Sequence, residues 1–279
     1  MTDKKKRIIY VICAYAFFWI AILLIGMVVL LADDWFGESI FLRILTSIAA
    51  WTPTFALLVL FKKLYPNNSI KEFYKNAFRE RLKWKMILFT VAIQLLIVFG
   101  ATGILAFTSD IDFLSSFTLS LPSLGIAFIW ASISGATGEQ SGWRGFLQPN
   151  MEKEHGIVKS SIFVGIIWGF WHAPLWFITS GYSGMYLVQF IIAYMVNIVS
   201  AAVIIGICYK HCRNLFVPIL IHFMFNFSLG RVTAEAHDWL SIFSIMAVIY
   251  VFAAIGYVIW HKRRGERAYI QNQQTIKHD

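Results

Sequence analysis

Charge is what this sequence lacks most: only 14% of its 279 residues are Asp, Glu, Lys or Arg. A soluble domain carries roughly 25% charged residues, so this chain cannot clothe a water-facing surface, which excludes a soluble globule. Cysteine is nearly absent. Cys13, Cys208 and Cys212 are odd in number, lie in or beside apolar segments and form no CxxC, so they read as small packed hydrophobes rather than a disulfide framework. No repeat of about 20–50 residues and no low-complexity linker appears. Residues 1–279 therefore read as one membrane-embedded domain.

What is present is apolar: 58% hydrophobic and 17% aromatic residues, with a mean hydropathy of +0.66. About 20 apolar residues cross a bilayer as helix. That length predicts eight spans, near 8–32, 40–61, 84–107, 121–142, 159–179, 185–208, 215–230 and 240–260. The fold class is all-α, a polytopic membrane helical bundle. The basic start MTDKKKRIIY resembles a signal n-region, but the apolar run after it reaches Ala32, too long for a signal h-region. We read it as a retained first span.

The basic residues test this map. Of the 24 Lys and Arg, 22 fall in residues 1–7, 62–85, 144–159, 209–214 and the tail from 261, leaving Arg43 and Arg231 as exceptions. The loops between carry Asp33, Asp34, Glu38, Asp110, Asp112, Glu235 and Asp238. With eight spans every basic stretch falls on one side, which predicts both termini in the cytoplasm. The net charge of +9 then faces anionic headgroups, and no nucleic-acid partner is needed. Residues 62–83 are basic and amphipathic and read as a cytoplasmic helix along the headgroups, with a partner-binding helix as the alternative.

An ionisable group within a span costs roughly 2.5–3.5 kcal/mol and marks function by default. Three clusters qualify. Glu139, Gln140 and Arg144 end the fourth span, with Gln140 and Arg144 on one helical face and Glu139 rotated toward another. The plain reading is a span end with Glu139 snorkelling or paired to Arg144. His172 stands in an apolar fifth span, after Gly165 and Gly169, which let a helix approach, and before Pro174, which should kink its helix. A hydrogen-bonded structural histidine is the plain reading there. His222 and Asn226 are four apart on the seventh span, with Pro218 one turn earlier expected to loosen it. Alone, they read as an interhelical hydrogen-bonding pair. Together the three clusters point to one hydrated cavity. Carboxylate plus imidazole suits general-base chemistry, and histidine plus asparagine suits an oxyanion. Ser141 shows no sign of activation, so bound water is the better nucleophile, and a peptide the expected substrate. His155, His211, His237, His261 and His278 fall in loops or the tail and receive no role.

These motifs, EQSGWR at 139–144, WGFWH at 168–172 and HFMFN at 222–226, resemble those of the CAAX prenyl protease and bacteriocin-processing family (CPBP, or Abi), over about 90 residues, 138–226. The resemblance implies an intramembrane endopeptidase in which Glu139 activates water with help from His172. His222 and Asn226 would hold the oxyanion, and Arg144 would be structural. It implies no cofactor, although such proteins were long regarded as metalloproteases. From the residues alone zinc stays open, with Glu139, His172 and His222 as ligands and a fourth position free. Two residues depart from the pattern. Trp168 replaces phenylalanine. Gln140 replaces the second glutamate and should blunt activity, whether it is natural or an altered position. A peptide or membrane-protein substrate is expected from the cytoplasmic leaflet, since the motifs fall toward those ends of spans four and seven. A bacterial plasma membrane is the expected setting, and the prenyl-protein activity itself is not assumed. Two other readings stay open: a non-catalytic protein that sequesters peptides, for which Gln140 speaks, and a proton-coupled transporter, which no inverted repeat supports.

Overall fold

The computed structural model describes residues 1–31, 40–233 and 239–276, with side chains to residue 265. Asp33, Asp34, Glu38, Glu235, His237, Asp238 and His278 lie outside the described residues. Twelve α-helices make the described chain: α1 Asp3–Leu31, α2 Ile40–Ala49, α3 Thr52–Leu64, α4 Ile70–Ala77, α5 Trp84–Thr108, α6 Leu121–Ile133, α7 Ala136–Gly142, α8 Gln148–Trp171, α9 Ala173–Ile178, α10 Gly184–Cys212, α11 Phe216–Leu229 and α12 Trp239–Ile276. One isolated antiparallel bridge, Phe117 to Val232, is the extended pairing among the described residues.

The helices present apolar side chains both inward and outward. In α1, Arg7, Tyr10, Ala14, Phe18 and Ile22 form a buried stripe at helical spacing, while Ile12, Ile20, Leu23 and Met27 on the other faces are more than half exposed. An apolar outer face of this extent requires lipid. The protein is a multi-pass helical membrane bundle.

All eight expected spans fall on helices, but not eight long ones. Five described stretches are long and apolar enough to cross, and a sixth if α2 and α3, bent by 40°, count together. The shortfall lies in the spans that carry polar residues. Gly135, at φ 71°, separates α6 from α7. Gly156, at φ 69°, breaks α8. α11 has 14 residues. The two prolines act differently from each other. Before Pro174 the helix stops at Trp171 and restarts as α9, a break rather than a kink. Pro218 sits in the first turn of α11, where a missing N–H costs no helical bond, so the expected loosening does not occur.

The basic stretches do share one end. Arg7 donates to the Asn150 carbonyl at 2.8 Å and pairs with Glu154 at 2.7 Å. Lys210 pairs with Glu152. Lys83 donates to the His211 carbonyl at 2.6 Å, and the His211 and His261 rings meet at 3.1 Å. At the other end Thr118 donates to the Arg231 carbonyl at 2.8 Å, and Tyr182 accepts from Leu240 N–H at 2.8 Å. Residues 62–83 are not one surface helix. They hold the last turn of α3, then α4, which Ser69 caps by accepting from the Glu72 N–H at 3.1 Å. Buried Phe73 packs edge-on against Phe61, and a Cβ on Gly145 would lie 2.9 Å from its ring.

Candidate active site

α7 runs through the middle of the bundle because its residues are small. A Cβ on Gly138 would lie 2.5 Å from Trp51, and one on Gly142 would lie 2.0 Å from the Tyr10 hydroxyl. Gly135 sets where α7 begins. Its φ of 71° is one that L side chains rarely adopt, and a Cβ there would lie 2.5 Å from Glu139 Oε1 and 3.3 Å from His222 Cε1. Trp143–Leu147 then form a π turn, a widening often found at functional sites.

These elements collect most of the expected residues. Glu139, 2% exposed, accepts a hydrogen bond from the indole N–H of Trp168. Arg144, fully buried, lies with Cζ 4.5 Å over the same indole. None of its three nitrogens has a hydrogen-bond partner among the described residues, so the simple Glu139–Arg144 pairing is not found: the Trp168 indole touches both. Trp168 also meets the ring of His222 edge-to-face at 5.1 Å. Gln140 Nε2 lies 2.8 Å from His222 Nδ1. Residue 168, an aromatic exchange at sequence level, is thus the hub of the cluster.

The two histidines are held differently. His172, at the α8 C-cap, directs Nδ1 to the Trp168 carbonyl at 2.9 Å. A carbonyl only accepts, so Nδ1 carries the proton and Nε2 of the neutral ring keeps a lone pair. His222 receives the Gln140 amide at Nδ1, which places its ring proton on Nε2. One imidazole is set as acceptor and the other as donor. Both line a cavity of about 80 Å³ with Trp168, Tyr194, Asn197 and Asn226. That is polar and roomy enough for water. Asn226 directs its amide to the Ser134 carbonyl at 3.3 Å.

Glu139 is not on that cavity's wall, and no direct contact joins it to His172. Sequence reasoning missed Gly135, Ser134, Tyr194 and Asn197. Only Gly135 carried a signal, as the glycine between two helical runs in ISGATGEQ. The site lies deeper than expected. Ile198, on the cavity wall, is the middle residue of α10, about 21 Å from the basic end at 1.5 Å per residue. GxxxG does what it should: Cβ atoms on Gly165 and Gly169 would lie 2.8 Å from Val199 Cα and 2.4 Å from Met195 Sδ, so α8 and α10 touch closely. Among the described residues no three His, Cys, Asp or Glu side chains are grouped to hold a metal, so Glu139, His172 and His222 do not form the ligand set considered for zinc.

With this geometry in view, two comparisons bear on the chain. Residues 121–228 match the family model "Type II CAAX prenyl endopeptidase Rce1-like". The match contains all three motifs. A relative described as CAAX prenyl protease 2, from Methanococcus maripaludis, is 29% identical over 140 residues. That alignment covers 49% of this chain and 49% of the relative, so the chain spans about half the length of the curated relative it matches.

Proposed function

We propose that the chain, whose residues 121–228 match the Rce1-like family model, is an intramembrane endopeptidase hydrolysing a peptide bond with water. In this reading Glu139 takes a proton from the water, assisted by Nε2 of His172. The hydroxide attacks the scissile carbonyl. The oxyanion accepts hydrogen bonds from His222 Nε2–H and the Asn226 amide. The proton then passes to the leaving amine and the C–N bond breaks, so that Glu139 regains its carboxylate.

The observation that carries this reading is a pair of histidines, each with its Nδ1 in hydrogen-bond contact, that line one buried cavity beside a buried carboxylate. Arg144 and Trp168 serve the carboxylate by position. Gln140 attenuates the reaction: an amide leaves His222 a neutral donor, whereas a carboxylate there would accept from Nδ1–H and favour the doubly protonated ring. The substrate is a peptide or membrane-protein segment. The setting is a cell membrane of bacterial type with both termini in the cytoplasm, and the reaction uses no metal.

The test is cleavage of a quenched fluorescent peptide library by the purified protein, beside Glu139→Ala and Gln140→Glu, with and without a zinc chelator. Cleavage is expected to vanish in Glu139→Ala, rise in Gln140→Glu and ignore the chelator. Chelator-sensitive cleavage would overturn the metal-free mechanism. Gln140 also favours a second reading, a non-catalytic protein that sequesters peptides. Peptide binding without cleavage, in the wild type and in Gln140→Glu alike, would establish that reading instead.

A further inference from the structure

Away from the site, a groove of about 570 Å³ runs between the start of α5 and the end of the apolar part of α12. Its floor is Met86, Phe89, Ile93, Ala253 and Gly256, all apolar. A Cβ on Gly256 would meet nothing within 4 Å, so the absence of a side chain there holds the slot open. At one end the groove meets a second, more polar recess of about 400 Å³ lined by Arg263 and Arg264, and the two share Gly256, Trp260 and Arg264. Lys85 closes the same end from α5. Lys85, Arg263 and Arg264 are exposed, no acidic side chain among the described residues lines either recess, and Arg264 lies 5.0 Å over the Trp260 ring.

We propose that this is a binding site for one anionic diacyl phospholipid. The apolar slot takes an acyl chain, and the Lys85, Arg263 and Arg264 mouth takes the phosphate. The charge decides the occupant. A protein helix packed here would bury three cations unpaired, and a zwitterionic lipid would bring its own cation to them. An anionic headgroup answers both the apolar floor and a positive mouth that no acidic side chain among the described residues opposes. Trp260 lies where aromatic side chains favour the boundary between hydrocarbon and headgroups. The site belongs to the basic end of the bundle, hence to the leaflet that end faces. It is independent of the hydrolytic reading.

The full-length protein, purified in a neutral detergent, is titrated with phosphatidylglycerol and, separately, with phosphatidylcholine of the same chains, and bound lipid is counted by native mass spectrometry. One saturable phosphatidylglycerol is expected, with phosphatidylcholine much weaker. Lys85→Ala with Arg264→Ala should weaken binding by about 30-fold, since each basic group near an anionic headgroup contributes about fivefold. Gly256→Leu should abolish it while leaving every charge in place. Equal uptake of the two lipids overturns the proposal, as does wild-type binding by either variant. Competition by millimolar inorganic phosphate as strong as by the lipid would also overturn it, marking an ion site. Should Gly256→Leu fail to fold, the exposed double variant still decides.

Discussion

At the residue scale, Trp168 and Gln140 explain most of what is particular to this molecule. Trp168→Phe keeps the ring beneath Arg144 and beside His222 but removes the donor to Glu139. A hydrogen bond to a charged group contributes about 1.5–3 kcal/mol, so peptide turnover should fall about 10- to 100-fold with little change in melting temperature. A steady-state assay beside a thermal melt separates the two effects. An equal loss of both would make Trp168 structural rather than a positioning residue. The sequence showed Trp168 only as an aromatic at a motif position. Its second role was not legible, because a side-chain N–H finds its acceptor through tertiary packing. Glu139, His172 and His222 were legible because ionisable groups are expensive within a span, whatever their partners.

The elements around the site are short and interrupted, and the interruptions aim the side chains. Without the break at Gly135, α6 would continue and carry Glu139 away from His222. Gly135→Ala should cost about 1–3 kcal/mol for its backbone conformation alone, and its new Cβ would meet the Glu139 carboxylate. Activity should therefore be lost more completely than stability, and a variant with wild-type turnover would contradict the packing described. Gly165→Leu acts at the helix pair instead. Overpacking against Val199 and Ala202 should destabilise by about 1–3 kcal/mol, read as an earlier thermal transition. The period and length of apolar runs were enough to place the helical stretches, though five or six of those described, not eight, are long and apolar enough to cross. They could not give the breaks. A π turn has no residue signature, and a proline ends a helix or begins one according to its place in it, as Pro174 and Pro218 do.

For the whole molecule, basic charge is what organises the two ends. Residues far apart in sequence, Arg7 with Glu154 and Lys83 with His211, meet at one end, while Ser115 and Thr233 meet at the other. This grouping was readable from Lys and Arg alone, because the insertion rule acts on loop charge and needs no tertiary detail. The depth of the site was not, since α7 enters the bundle as a short helix inside a broken span. The same rule predicts that the basic end faces the cytoplasm, and labelling reads this directly. Cys208 and Cys212 are buried and Cys13 is half-buried, so an impermeant thiol reagent reports chiefly on introduced cysteines. In intact cells Asp112→Cys should label at once, whereas Arg79→Cys, among the basic residues, should label only after permeabilisation. The reverse order would put the basic end outside. It would then also turn the lipid groove to the outer leaflet, where anionic phospholipid would have to be supplied from a different source.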